Sequence, residues 1–364
     1  MNKMLKQMLI AVMLIAFTGG IALAKTEMVI VSWGGAYTMS QQKAYHEPYM
    51  KLNPDIKIIN DDSAGTGAAK LRAQVEAGNV TWDVLDALAA DAIALCDEGL
   101  IEELNHDVNL AAAPDGTPAS KDFGDLIVCP CFVPTIVYST TFGYRSDKFA
   151  TPPTTIADVF NLKKFPGKRA LQKAAIDNLE WALVADGVDV KKVYDVLSTP
   201  EGVDRAFKKL DTIKDSVVWW SKGAQTPQLL ADGEVVIGST YNGRLFQAIA
   251  AEKQPIAMLW DAQVFDLDGF VIPTGAPNKA EAMKYLKFAT DTQRLADQAK
   301  FISYGPARAS SAPMVGKHAE LGIDMKPHMP TAPANSKRIV VKDHLWWADN
   351  QVELTERFNA WLAK

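Results

Sequence analysis

Residues 264–273 read VFDLDGFVIP. The β-branched and aromatic residues mark a strand set in a core, yet Asp266 and Asp268 stand in it at i and i+2. Side chains at that spacing leave a strand on one face, so both acids look the same way. A buried carboxylate is costly unless something compensates its charge. The segment leaves three compensations open: a ligand's cation, a nearby Lys or Arg, or capping of a turn.

The pattern around this strand sets the fold class. MVIVS (28–32), IKIIN (56–60) and WDVLDAL (82–88) read as strands, with helices between and after them at about 38–52, in AAKLRAQVEAG and in DAIALCDEGLIEEL. Such alternation predicts a parallel sheet covered by helices. VPTIVYSTTFGYRS (133–146) is long and extended and carries the chain into a second α/β unit. That unit has strands near 169–172, 216–220 and in EVVIGS, with helices at 154–160, in DNLEWALVADG, within 189–212, at 225–232 and from Asn242. VFDLDGFVIP brings the chain back, and NKAEAMKYLKFATDTQRLADQAKF and DHLWWADNQVELTERFNAWLAK are helical by period. The expectation is an α/β protein of two lobes, 25–138 with 270–304 and 139–269 with 305–364. Two open α/β sheets facing each other form a cleft at their strand ends, and long strands crossing between them form a hinge.

The N-terminus carries Lys3 and Lys6, an apolar run from Met8 to about Phe17 and Ala22-Leu23-Ala24. This is the order of a cleavable export signal over 1–24. The 364-residue chain has a formal net charge of −5, and losing 1–24 removes two lysines and no acid. An acidic chain gives no electrostatic case for nucleic acid or an anionic membrane. Of the three cysteines, Cys129 and Cys131 form CPC rather than a CxxC redox motif, and one disulfide plus one free thiol is the simplest arithmetic in an oxidising compartment. GxSxG, HExxH and a P-loop are absent, and no SxxK nucleophile stands among its usual neighbours. A DxD metal enzyme would need a phosphate-binding partner site, and none is apparent.

The order VSWGGAY, WDVLDA, CDEGLIEEL, VPTIVYST, LLADGEVVIGSTYNGR, DLDGFVIPTGAPNKAEA, ISYGPA resembles the periplasmic solute-binding proteins of ABC importers, specifically the spermidine/putrescine-binding group, over essentially the whole mature chain. The resemblance implies a Venus-flytrap fold with a small amine buried between the lobes. It also implies delivery to an inner-membrane permease from a periplasmic monomer that needs no cofactor. By position it implies ligand contacts from Trp33, Tyr241, Asp268 and Tyr304, with Asp266 on the same face as Asp268. Trp347 stands where the group supplies a polar contact, and Asp177, Asn178 and Glu180 stand near its second acid, Glu180 being included in the expected site. Asp266 replaces an aromatic usual in polyamine binders. Arg244, if it enters the cleft, favours a zwitterion such as an ω-amino acid. The resemblance further implies a Cys96–Cys131 disulfide.

Overall fold

A computed structural model describes residues 25–364; the export signal expected over 1–24 lies outside the described residues. In chain order the strands are β1 (Thr26–Val31), β2 (Ile56–Asp61), β3 (Val84–Leu88), β4 (Val133–Arg145), β5 (Arg169–Gln172), β6 (Val217–Trp220), β7 (Ile237–Tyr241), β8 (Ile256–Val271), β9 (Gly305–Pro306) and β10 (Ile339–Val341). They form one mixed sheet in the order β2-β1-β3-β8-β4-β7-β5-β6, with β9 beside β4 and β10 beside β8.

In the first lobe β1 pairs in parallel with β2 and β3, and β3 pairs antiparallel with Asp268–Val271. Successive residues go to opposite faces, as the pleat requires. Val84 and Phe270 enter one core with Met28, Ile30 and Tyr285, whereas Leu85 and Val271 enter the other with Val31, Leu95 and Phe132. In the second lobe β5 lies parallel between β6 and β7, and β7 pairs with Thr140–Tyr144 of β4. Its core gathers Phe142, Trp181, Leu183, Phe207 and, from the single helix His344–Leu362, Trp347, Leu354 and Phe358.

The two lobes share β4 and β8. At 16 residues β8 extends about 50 Å, enough to belong to the second lobe at its start and the first at its end. The two strands pair antiparallel from Val133–Phe270 to Arg145–Ile256, with a register shift where Thr140 faces Val264 but Phe142 faces Leu259. The residues set aside by that shift include Ala262, whose φ of 54° is left-handed, and its carbonyl accepts from Trp181 Nε1 at 2.9 Å. Arg308, counted with the second lobe in the sequence reading, forms a fully buried ion pair with Asp122 of the first. Cys96 and Cys131 are disulfide-bonded, tying the helix Ala89–Asp97 to the approach to β4, and Cys129 is free and half-buried.

Candidate ligand-binding cleft

Trp33 follows β1 and precedes Gly34 and Gly35, with φ of 76° and 59°. These left-handed angles bend the chain sharply into the helix Gly35–Gln41. A Cβ on Gly35 would stand 3.5 Å from Arg244 Nη1, so the turn of one lobe faces the arginine of the other. On the second lobe, β7 ends at Tyr241 and a helix starts at Asn242. Buried Asn242 accepts from Ser139 N at 3.0 Å and donates to Ser303 O at 2.6 Å, fixing β4 and the 303–304 loop to this helix start. A Cβ at Gly243 would lie 2.7 Å from the Tyr304 ring. Glycine is therefore what lets Tyr304 pack against the helix.

These elements enclose a chamber of about 60 Å³, lined by Trp33, Tyr37, Tyr138, Tyr241 and Tyr304 with Leu88, Ile136, Arg244 and Asp268. Tyr138 meets Tyr241 edge-on at 5.6 Å, and both Tyr37 and Tyr138 lie 6.0 Å from Tyr304. Burial pushes the Tyr241 phenol up to about 12 and keeps it a neutral wall. The Trp33 indole N–H, the Tyr37 hydroxyl and Arg244 Nε are buried donors without a partner among the described residues. Arg244 forms none of the arginine ion pairs found among the described residues.

A larger, polar chamber of about 620 Å³ adjoins the first, sharing Trp33, Tyr241 and Arg244 and adding Asp62, Gln172, Asp266, Lys342 and Trp347. Asp266 is fully engaged there. Its Oδ2 accepts from Lys342 Nζ at 2.6 Å and from Tyr138 OH at 2.8 Å, and His344 Nδ1 lies 3.5 Å from Oδ1. Burial acts to raise the carboxyl, but Lys342 and His344 outweigh it and hold Asp266 below its usual range. Lys342 also meets Asp177 Oδ1 at 2.8 Å.

Asp268 differs from its neighbour on the same face. It accepts from Gly269 N at 2.9 Å and joins no ion pair among the described residues. Burial first, then the adjacent Asp86, push it well above the usual carboxylate range.

Seven of the eight expected site residues line these chambers: Trp33, Tyr241, Asp268, Tyr304 and Arg244 the smaller one, Trp347 and Asp266 only the larger. Asp266 borders the larger chamber with its charge matched by Lys342. Glu180 lines neither chamber; it accepts from Trp347 Nε1 at 2.7 Å and Tyr194 OH at 2.9 Å. Tyr37, Tyr138, Asp86 and Lys342 were not singled out. Asp86 and Tyr138 sat inside the motifs WDVLDA and VPTIVYST, and the rule that flagged Asp268, an acid on a core strand, also applies to Asp86.

The family model described as bacterial extracellular solute-binding protein matches residues 44–331. The chain belongs to that family: it is a binding protein, not an enzyme, with a two-lobe periplasmic binding protein fold. It is 37% identical over 352 residues to the γ-aminobutyric acid-binding protein of Pseudomonas aeruginosa PAO1, covering 96% of this chain and 95% of that one. The structure of MotA from A. tumefaciens B6 in complex with glucopine superposes with a TM-score of 0.82 at 31% identity, over 93% of this chain and 100% of that one. A solved GABA receptor gives 0.78 at 34% identity, covering 93% and 98%. A spermidine/putrescine-binding periplasmic protein of Salmonella typhimurium is 27% identical over 177 residues, 47% of this chain and 48% of that one. The expected kinship with the polyamine-binding group is therefore corrected to the broader family.

Proposed function

We propose that this protein is the periplasmic receptor of an ABC importer and that it captures a zwitterionic ω-amino acid of γ-aminobutyrate type. One observation carries the reading: a single small chamber is lined by a carboxyl without an internal cation, Asp268, and by a guanidinium without an internal anion, Arg244. The ligand's ammonium meets Asp268, its carboxylate meets Arg244 through charge-assisted hydrogen bonds, and the tyrosines and Trp33 cover its methylenes. A diamine would set its second ammonium against Arg244, so the polyamine expectation gives way to the zwitterion. The GABA-binding relatives named above support the same choice.

Lobes 25–138 with 270–304 and 139–269 with 305–364 would close over the ligand about β4 and β8, and the closed monomer would dock on its permease. Calorimetry with γ-aminobutyrate, β-alanine, δ-aminovalerate, putrescine and spermidine tests the ligand. An ω-amino acid is expected to bind at least about tenfold more tightly than either polyamine, the cost of one charge-assisted contact. Tight putrescine binding without γ-aminobutyrate binding would overturn the proposal.

A further inference from the structure

Asp86 and Asp268 belong to neighbouring strands, and the register Leu88–Asp268 and Asp86–Phe270 puts both on one face of the sheet, diagonal to each other. Both are buried, at 0% and 4% exposure. Asp86 Oδ2 accepts from the Gln41 amide, whose own carbonyl oxygen accepts from Ser32 Oγ at 2.6 Å. Gln41 is therefore locked as a donor toward Asp86. Asp86 Oδ1 has no hydrogen-bond partner among the described residues, and the diagonal register brings the Asp268 carboxyl to its side, with the Tyr37 hydroxyl as the other neighbour.

The groups facing the pair from the surrounding elements are almost all neutral. From the helix Gly35–Gln41 and the turn after it come Tyr37, Gln41 and Tyr45, and from beyond them Tyr285. From β4 comes Thr135, whose Oγ1 donates to the Asp268 carbonyl at 3.1 Å. Tyr304 and Arg244 close the ligand side, and Asp266 shares the strand with its charge already matched. Two ionised carboxylates set diagonally at such a buried site repel, and one proton shared between them removes the repulsion.

We propose that Asp86 is a positioning residue that shares one proton with Asp268, so that the chamber offers its ligand one negative charge and selects a monocationic head over a dication. With the ammonium in place the charge settles on Asp268 and the proton on Asp86, which donates to Asp268 from behind. Burial supports the same picture by pushing Asp86 up to about 7. The inference deepens the reading of Asp268 as cation contact.

The test is a carboxyl-carbon NMR titration of ligand-free protein labelled at aspartate. One buried carboxyl is expected to remain protonated at about pH 6, roughly two units above ordinary aspartates, and to lose that behaviour in Asp86→Asn. If every carboxyl carbon has reached its ionised shift by about pH 5, the proposal is wrong. That result needs no ligand, so it stands apart from the identity of the amine. In γ-aminobutyrate titrations, Asp86→Asn should move the acid-side loss of affinity down by about one pH unit or more, because the like-charge neighbour is gone. An unshifted acid limb in a folded variant would also overturn it.

Discussion

Lys342 Nζ lies 2.6 Å from Asp266 Oδ2, and both side chains are buried, while Asp268, two residues along the same strand, joins no ion pair among the described residues. One strand thus carries one acid compensated from within and one left for something to arrive. Removing Lys342 leaves Asp266 and Asp177 without their counter-charge. Lys342→Met is expected to destabilise the fold by about 3–5 kcal/mol, read as a lower urea midpoint. An unchanged midpoint would mean that the pair contributes nothing net.

Asp268→Asn removes the one uncompensated carboxyl from the chamber. Binding of γ-aminobutyrate is expected to weaken by about tenfold or more, since a charge-assisted contact contributes about 1.5–3 kcal/mol. Equal affinity of variant and wild type in calorimetry would remove Asp268 from the site.

Arg244 gives the complementary experiment. Arg244→Met should cost γ-aminobutyrate about tenfold or more while leaving n-butylamine, which has no carboxylate, unaffected or improved. Parallel losses for both ligands would assign Arg244 a structural role instead.

Glu180 supplies a pH dependence. Burial first and Asp177 second raise its carboxyl to about 7, with Lys342 opposing. The folded protein then holds a proton that the unfolded chain has released above its ordinary value near 4.5. Stability from this group is therefore full at low pH and falls as pH rises toward 7. Glu180→Gln keeps an acceptor for Trp347 and Tyr194 and abolishes that fall, so its Tm relative to wild type should rise between pH 5 and pH 8. A constant difference across that range would refute the assignment.

The Cys96–Cys131 bridge spans 35 residues. Loop-closure entropy for that length corresponds to roughly 4 kcal/mol. Cys96→Ser or Cys131→Ser should therefore lower the melting temperature measurably, whereas Cys129→Ser should not. Equal loss in all three variants would point to packing rather than cross-linking.

The crossing strands and the sheet halves were legible because period and β-branching act within a few residues. The bend at Ala262 was not, because it arises where two distant strands fall out of register. Asp266 was read correctly as sharing a face with Asp268 but not as partnered by Lys342, which lies 76 residues away and reaches it through β10 running beside β8. The partner of Glu180 was hidden for the same reason: Trp347, which donates to it, comes from the last helix. Tyr37 and Tyr138 became visible only once the helix and β4 faced each other across Tyr304.

Gly35 and Arg244 face each other across the lobes, whereas Asp268 sits on a strand that both lobes share. The two ends of the chamber therefore differ mechanically. On the proposed binding mode, an ammonium held at Asp268 would rest near the pivot, and a carboxylate held at Arg244 would pull on the lever arm. A plain alkylamine would fill the seat without drawing the arm down, leaving a receptor that is loaded yet mute toward its transporter. Such amines should act as decoys, competing for the cleft while small-angle scattering still reports the open shape.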